Sequence, residues 1–421
     1  MVQKTVLPNG VRIVTESIPH VRSVALGIWV GTGSRDEDPT VAGVSHFIEH
    51  MLFKGTQKRT AKDLAEVLEA VGGQLNAFTS KEYTCYHAKV LDEHFDLALE
   101  VLTDMFFNSK YDAEDIERER RVVLEEIKMY EDSPDELVHD LLSEAIWSTS
   151  ALGRSILGTI DTISAVSRDQ VREHVEKEYS ADRVVVAVAG HIDPEKVVSR
   201  IKSYFASMPA TRREYDRKEP KVFQKTVFEQ KDVEQVQICL GTPGLPQEHD
   251  AIYALHVLNN VIGGGASSRL FQEIRENRGL AYSVYSFHSA FSDAGMFGLY
   301  AGTSPAFADS VLELLIGEMA RIKKEGITAQ ELKRTQDQIK GSLYLGLESV
   351  NSRMTRLGKS EVCYGRFVPP EEVIDRVYKV TLEDVYQVAQ TIFKGDQCAL
   401  AVVAAQPLPV NLTSLLEKYG L

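Results

Sequence analysis

The stretch His46-Phe47-Ile48-Glu49-His50-Met51-Leu52-Phe53-Lys54-Gly55-Thr56 decides how this 421-residue chain is read. From position 41 the apolar residues Val44, Phe47, Ile48, Met51 and Leu52 recur at helical spacing, and Gly55 ends the run. On such a helix His46 and His50 stand one turn apart on the same side. His46, Glu49, His50 and Phe53 form that face, away from the apolar one. Two imidazoles at this spacing can hold one metal ion and leave room for a third ligand and an open position. Glu49 flanks them, where a carboxylate can take a proton from water beside the ion. The plain alternative is an amphipathic helix with two surface histidines.

Working outward, the N-terminal side reads as strands. Residues 5–7 and 11–15 flank the turn Pro8-Asn9-Gly10 as a hairpin, and 24–30 is a third strand. On the C-terminal side, 60–71 is a helix stopped by Gly72-Gly73. Residues 74–80 and 84–90 read as paired strands. Helices follow at 94–106, 113–130, 136–146 and 167–178, then an apolar strand at 183–188. The helix 113–130 carries Glu119 and Glu126, seven apart and on one face, as candidates for the missing ligand. The same segment, ERERRVVLEEIK, also reads as a solvated charged face, and on residues alone both readings stand.

The polar, proline-bounded segment 209–220 lies at the midpoint of the chain and reads as a linker. Beyond it the order of elements recurs. Ala25-Leu26-Gly27 matches Cys239-Leu240-Gly241, 214 positions later. The helix ALEVLTDM at 98–105 matches VLELLIGE 213 later, and Ala113-Glu114-Asp115-Ile116 matches Ala329-Gln330-Glu331-Leu332 216 later. One offset holding in three places implies a duplicated α+β unit. Adding 214 to His46 and His50 gives Asn260 and Gly264, so the second copy is expected to carry no metal. The expected domains are therefore 1–208, holding the metal, and 222–421, with 209–221 between them. Gly263-Gly264-Gly265 is not a phosphate loop, because neither G-K-[ST] nor G-x-G-x-x-G accompanies it. It is expected to be a flexible or close-packing loop.

Composition sets the outer bounds. The chain is 43% hydrophobic and 26% charged, which is globular, and its formal net charge of −14 gives no general reason to bind nucleic acid or an anionic membrane. Cys85, Cys239, Cys363 and Cys398 form no C-x-x-C pair and read as buried thiols in a reducing compartment. The N-terminus shows neither a signal nor a transit pattern, and no apolar run reaches the roughly 18 residues of a membrane helix. A soluble cytoplasmic protein is expected.

H-x-x-E-H is the inverted zincin signature. HFIEHMLFKGT, with the spacing from His50 to Glu126, resembles the M16 (pitrilysin) metallopeptidases: mitochondrial processing peptidase, pitrilysin, insulysin and bacterial relatives. In that family the third zinc ligand lies 76 positions beyond the second histidine, where this chain has Glu126, and a supporting glutamate lies seven earlier, at Glu119. The resemblance implies a LuxS/processing-peptidase-like metallohydrolase fold, with two homologous α/β-sandwich domains of antiparallel-rich sheet flanked by helices. It implies one Zn2+ per chain, held by His46, His50 and Glu126, with Glu49 as the base. Asn76, Ala77 and Phe78, in the segment through Ser80, resemble the edge strand that takes substrate by β-addition. Arg275 and Tyr282 resemble an Arg/Tyr pair that serves the reaction from the C-terminal half. Glu136 and Asp140, 10 and 14 residues after Glu126, match acidic positions that contact a basic residue near the cleavage site. The resemblance spans nearly the whole chain and matches the short, processing-peptidase-like branch. One chain here has both the ligand set and the glycine-rich loop, which implies a homodimer. The implied activity is a zinc endopeptidase on short or unfolded peptides held as an added strand. The competing expectations are a non-catalytic assembly subunit on the same fold and a zinc hydrolase of a non-peptide amide.

Overall fold

The computed structural model describes residues 2–210 and 217–421, so positions 211–216 of the expected linker lie outside the described residues. The first sheet has the order β1-β2-β6-β3-β5-β4. Its strands are β1 (Val2–Val6), β2 (Arg12–Ser17), β3 (Ser23–Val30), β4 (Gln74–Thr79), β5 (Thr84–Leu91) and β6 (Val184–Gly190). Only β2 and β6 run parallel. The expected N-terminal hairpin is β1–β2, and Gly10 supplies its left-handed turn with φ of 101°.

The second sheet repeats this plan without the outermost strand. Its order is β7-β11-β8-β10-β9, with β7 and β11 parallel. These strands are β7 (Thr226–Gln230), β8 (Val236–Pro243), β9 (Ala281–Ala290), β10 (Gly295–Thr303) and β11 (Ala399–Ala404). Strand by strand, β2-β6-β3-β5-β4 corresponds to β7-β11-β8-β10-β9. Leu26 lies between Val188 and Ala88, as Leu240 lies between Leu400 and Leu299. The duplicated α+β unit inferred from the offsets is therefore present as topology.

The central strands are apolar on both faces because helices cover both. In the first sheet Leu26, Ile28, Val186 and Val188 pack with Val44, Phe47, Ile48 and Met51. On the opposite face Ala25, Trp29, Cys85 and Val185 pack with Val350, Met354 and Leu357. That second cover is the helix Val350–Tyr364, which comes from the other half of the chain. The reverse also holds. The helix Pro134–Ile146 covers the second sheet, with Val138, Leu142 and Ala145 against Cys239, Ala399 and Ala401. These two helices begin 216 residues apart, so each compact unit takes the matching helix of the other half. The units comprise the described residues of 1–127, 155–216 and 344–368, and of 128–154, 217–343 and 369–421. A division at 209–221 follows the chain, whereas compactness follows this exchange.

Cys85, Cys239 and Cys398 are buried free thiols, whereas Cys363 is only half-buried, near the end of the exchanged helix. Among the described residues no helix is long and apolar enough to cross a membrane.

Candidate metal centre

The helix carrying His46 spans Val44–Leu52. Its N-terminus is fixed by Glu37, whose carboxylate accepts from the backbone N–H of Gly43 and of Ser45, each at 2.7 Å. Gly43 enters the helix with φ of 93°, a conformation that favours glycine. With Val44, Phe47, Ile48, Met51 and Leu52 committed to the core, His46, Glu49 and His50 are left on the flank.

Across from them runs the helix Ala113–Glu131. It presents both predicted glutamates to the histidines. His50 Nε2 lies 3.2 Å from His46 Nε2 and 3.4 Å from Glu126 Oε2, and His46 Nε2 lies 3.7 Å from Glu126 Oε1. Ligand atoms about 2.0–2.1 Å from a tetrahedral zinc sit roughly 3.3–3.4 Å from one another, so these spacings fit the ion. Among the described residues this is the one group of three His, Cys, Asp or Glu side chains close enough to share a metal.

The surroundings set the donors. His50 Nδ1 lies 2.8 Å from Glu119 Oε1. With the ring proton on that nitrogen, the Nε2 lone pair faces His46 and Glu126. Glu119 is itself buried, and Lys54 Nζ neutralises its other oxygen at 2.6 Å. Burial holds the His46 imidazole down at about 4, and the neighbouring His50 adds to the effect. Burial acts the same way on His50, but the hydrogen bonds to Glu119 and Glu126 override it and raise it to about 9. Burial and the neighbouring His50 disfavour a charge on His46, whereas the two glutamates favour one on His50. A cation between the rings satisfies both lone pairs and the Glu126 carboxylate together.

Glu49 stands beside this cluster. Burial raises its pKa, while a hydrogen bond from Thr79 Oγ1 to Oε2, at 2.6 Å, works against the rise. A carboxylate moved toward neutral pH is a better proton acceptor in that range. Thr79 closes β4, which among the described residues is the last strand of its sheet and pairs only with β5. The other edge of β4 is therefore unpaired along Asn76, Ala77 and Phe78. Asn76 Oδ1 accepts from the Ala77 N–H, and its side chain is exposed. A cleft of about 740 Å3 opens beside the start of this strand, with Phe53, Leu68, Asn76, His87 and Asn351 in its walls.

The remaining predicted residues belong to the second unit. Arg275 lies in a π-helical turn, Phe271–Glu276, and its Nη1 donates to the backbone carbonyl of Tyr282 at 3.1 Å. Tyr282 is 77% exposed. Glu136 and Asp140 sit on the helix Pro134–Ile146, Glu136 exposed and Asp140 half-buried. Tyr130 is raised first by burial and then by these two carboxylates. Gly263 is a close-packing residue, since a Cβ there would strike the backbone and side chain of Ser286. The fixed offset of 214 slips here. The counterpart of the His46 helix is Ile252–Gly263, whose start lies 208 residues later, and Gly264 is its C-cap rather than a helical position. That helix still lacks a histidine pair with glutamate; its His256 meets His288 at 3.0 Å.

Sequence reasoning missed Thr79, Lys54 and Glu37 as supporting residues. Thr79 had a signal, because β-alternation from Leu75 and Ala77 places it on the side of the metal helix. Lys54 and Glu37 act from loops and had none.

Two family models match consecutive stretches of the chain. The model of Insulinase (Peptidase family M16) matches residues 12–160, and that of the Peptidase M16 inactive domain matches 165–339. The uncharacterized zinc protease YmxG of Bacillus subtilis is 47% identical over 96% of this chain and 98% of its own. An uncharacterized zinc protease of Streptomyces coelicolor is 43% identical over 96% of this chain and 89% of its own. A protease of Helicobacter pylori of known crystal structure is similar in fold, with a TM-score of 0.91 at 22% identity, over 97% of this chain and 100% of that one.

Proposed function

The chain belongs to the insulinase family, Peptidase family M16, and from that premise we propose that it is a zinc-dependent endopeptidase acting on short or unfolded peptides. The observation that carries the reading is the cluster of His46, His50 and Glu126 with Glu49 beside it. Zinc held by those three side chains would supply Lewis acidity to the scissile carbonyl and to the attacking water. Glu49 takes a proton from that water and returns one to the leaving amine. Thr79 occupies Oε2 of Glu49, which leaves Oε1 for the transfer. Glu119 and Lys54 keep the His50 ring in its working orientation.

Substrate enters as a strand on the open edge of β4, so only an extended segment can be read there. Tyr282 and Arg275 are assigned as donors to the oxyanion that develops at the carbonyl. Glu136 and Asp140 are assigned to a basic residue near the scissile bond. The active form is taken to be a homodimer, because one chain carries both the ligand set and the glycine-rich loop.

The test is a mixed library of unstructured peptides incubated with and without chelator and followed by mass spectrometry. Metal-dependent internal cleavage is expected, enriched at sites flanked by Lys or Arg. A chain that loads zinc yet cleaves nothing would make it a binding protein on this fold.

A further inference from the structure

Among the described residues Tyr282 is the most exposed of the large hydrophobic side chains, and an exposed tyrosine ring is ordinarily free to turn. Here it is held. The Arg275 guanidinium carbon lies 4.4 Å from the Tyr282 ring centroid and 4.7 Å from that of Phe271. The cation is thus in contact with two rings. Its Nη1 is fixed to the Tyr282 backbone, and Nε approaches Glu276 at 3.8 Å. Phe271 and Arg275 lie four residues apart in one π-helical turn, a local structure often found at functional sites. Ile274, fully buried, roots that turn in the core.

We propose that Phe271 is a positioning residue for the reaction: it stacks the Arg275 guanidinium against Tyr282, so that the two donors are presented as one rigid element. This rests on the reading of Arg275 and Tyr282 as donors to the developing oxyanion. Phe271 needs no contact with substrate. Its role is to favour one arrangement of a long, otherwise mobile arginine side chain. An aromatic face is required, because an aliphatic group of similar size packs but does not attract the cation.

Three variants of the zinc-loaded full chain test this: Phe271→Leu, Phe271→Tyr and Arg275→Ala. Each is assayed for kcat and KM on a cleaved peptide. Independently, the NMR shift of the Arg275 Nε–H reports the overlying rings whether or not the protein turns over. The resonance is assigned by its loss in Arg275→Ala. Phe271→Leu is expected to lower kcat about two- to fivefold with KM little changed, and to remove part of the ring-induced shift. Phe271→Tyr should restore both. Equal kcat in the Leu and Tyr variants, or an unchanged shift in Phe271→Leu, overturns the assignment of Phe271. Wild-type turnover in Arg275→Ala overturns instead the reading of the Arg/Tyr pair on which it rests, even if the ring shift behaves as expected.

Discussion

The helix Val44–Leu52 and its counterpart Ile252–Gly263 occupy the same place against the same kind of sheet, yet only one is chemically equipped. The first keeps His46, Glu49 and His50 on one flank. The second is apolar over most of its length and buries Ile252, Leu255, Leu258, Val261 and Ile262. The helices facing them differ in the same way. Glu119 and Glu126 lie on Ala113–Glu131, and the positions 216 later are Thr335 and Ser342 on Ala329–Gly346. Thr335 is as buried as Glu119, but it is neutral. Burying Glu119 is tolerable only because His50 and Lys54 face it. Where that charged cluster is absent, a neutral residue in the same place removes the cost. The comparison shows that the fold does not require the charges.

Importing the second unit's residues into the first is the strongest way to break this contrast. Glu126→Ser should abolish stoichiometric zinc and peptide cleavage together, as read by metal analysis and peptide mass spectrometry. Glu49→Gln should separate the two: zinc content unchanged, kcat down by about 10²–10⁴-fold, the contribution typical of a general base. Wild-type turnover in Glu49→Gln would remove the base from the mechanism. Glu119→Thr should weaken zinc about 10- to 100-fold, because it unties His50 Nδ1 without removing a ligand. Competition with a chromogenic chelator measures that affinity directly.

The legibility of these features in the sequence follows from their range. The histidine pair and Glu49 were readable because they lie within one turn of one helix, where spacing alone fixes the face. Glu119 and Glu126 shared a face in the sequence, but what they face comes from tertiary packing, and the family resemblance supplied it. The duplication was readable as an offset, and all but the outermost strand of the first sheet recurs in the second. The exchange of Pro134–Ile146 and Val350–Tyr364 was not readable. Each helix has an apolar face that suits either sheet, so periodicity says that it packs but not where. The offset of 214 slips at Gly264 for a different reason, since loops of unequal length shift the register between corresponding strands.

Acid should act on the first unit through His174. This imidazole lies behind the metal helix, 3.4 Å from Ser45 Oγ, and burial lowers it to about 4. Its folded pKa lies below the unfolded value near 6.5, so the unfolded chain takes up the proton first. The stability that neutral His174 provides is present above about 6.5 and is lost as pH falls toward 4. In the second unit Glu331, set against Arg269, is held at about 2 despite its burial. Its contribution is present above the normal carboxylate range and fades only as pH falls toward 2. Denaturant titrations at stepped pH should therefore show His174→Gln losing less stability than wild type between pH 6.5 and 4. The difference should be on the order of 2 kcal/mol. Parallel curves would show that His174 already titrates normally in the folded state.

The smallest effect separates the two helix–sheet contacts. In the first unit a large side chain on the strand meets a glycine on the exchanged helix: a Cβ at Gly358 would run into the Trp29 indole, which is fully buried. In the second unit Gly241 on β8 meets Leu142 of the helix, with Cδ1 2.9 Å from where a Cβ would stand, as Gly27 on β3 meets Met354 in the first. The indole is enclosed by sheet and helix, whereas the contacting Leu142 atoms are the end of a branched side chain that can rotate. Gly358→Ala gains about 1 kcal/mol of helix propensity but incurs an overpacking cost of about 1–3 kcal/mol. A net loss of about 1 kcal/mol is expected, equivalent to roughly 2–4 °C in Tm. Gly241→Ala should stay within about 0.5 kcal/mol of wild type, because Leu142 can yield. A higher Tm for Gly358→Ala would mean that the indole moves aside, and that the exchanged helix is less tightly fitted to the metal-bearing sheet than its glycine implies.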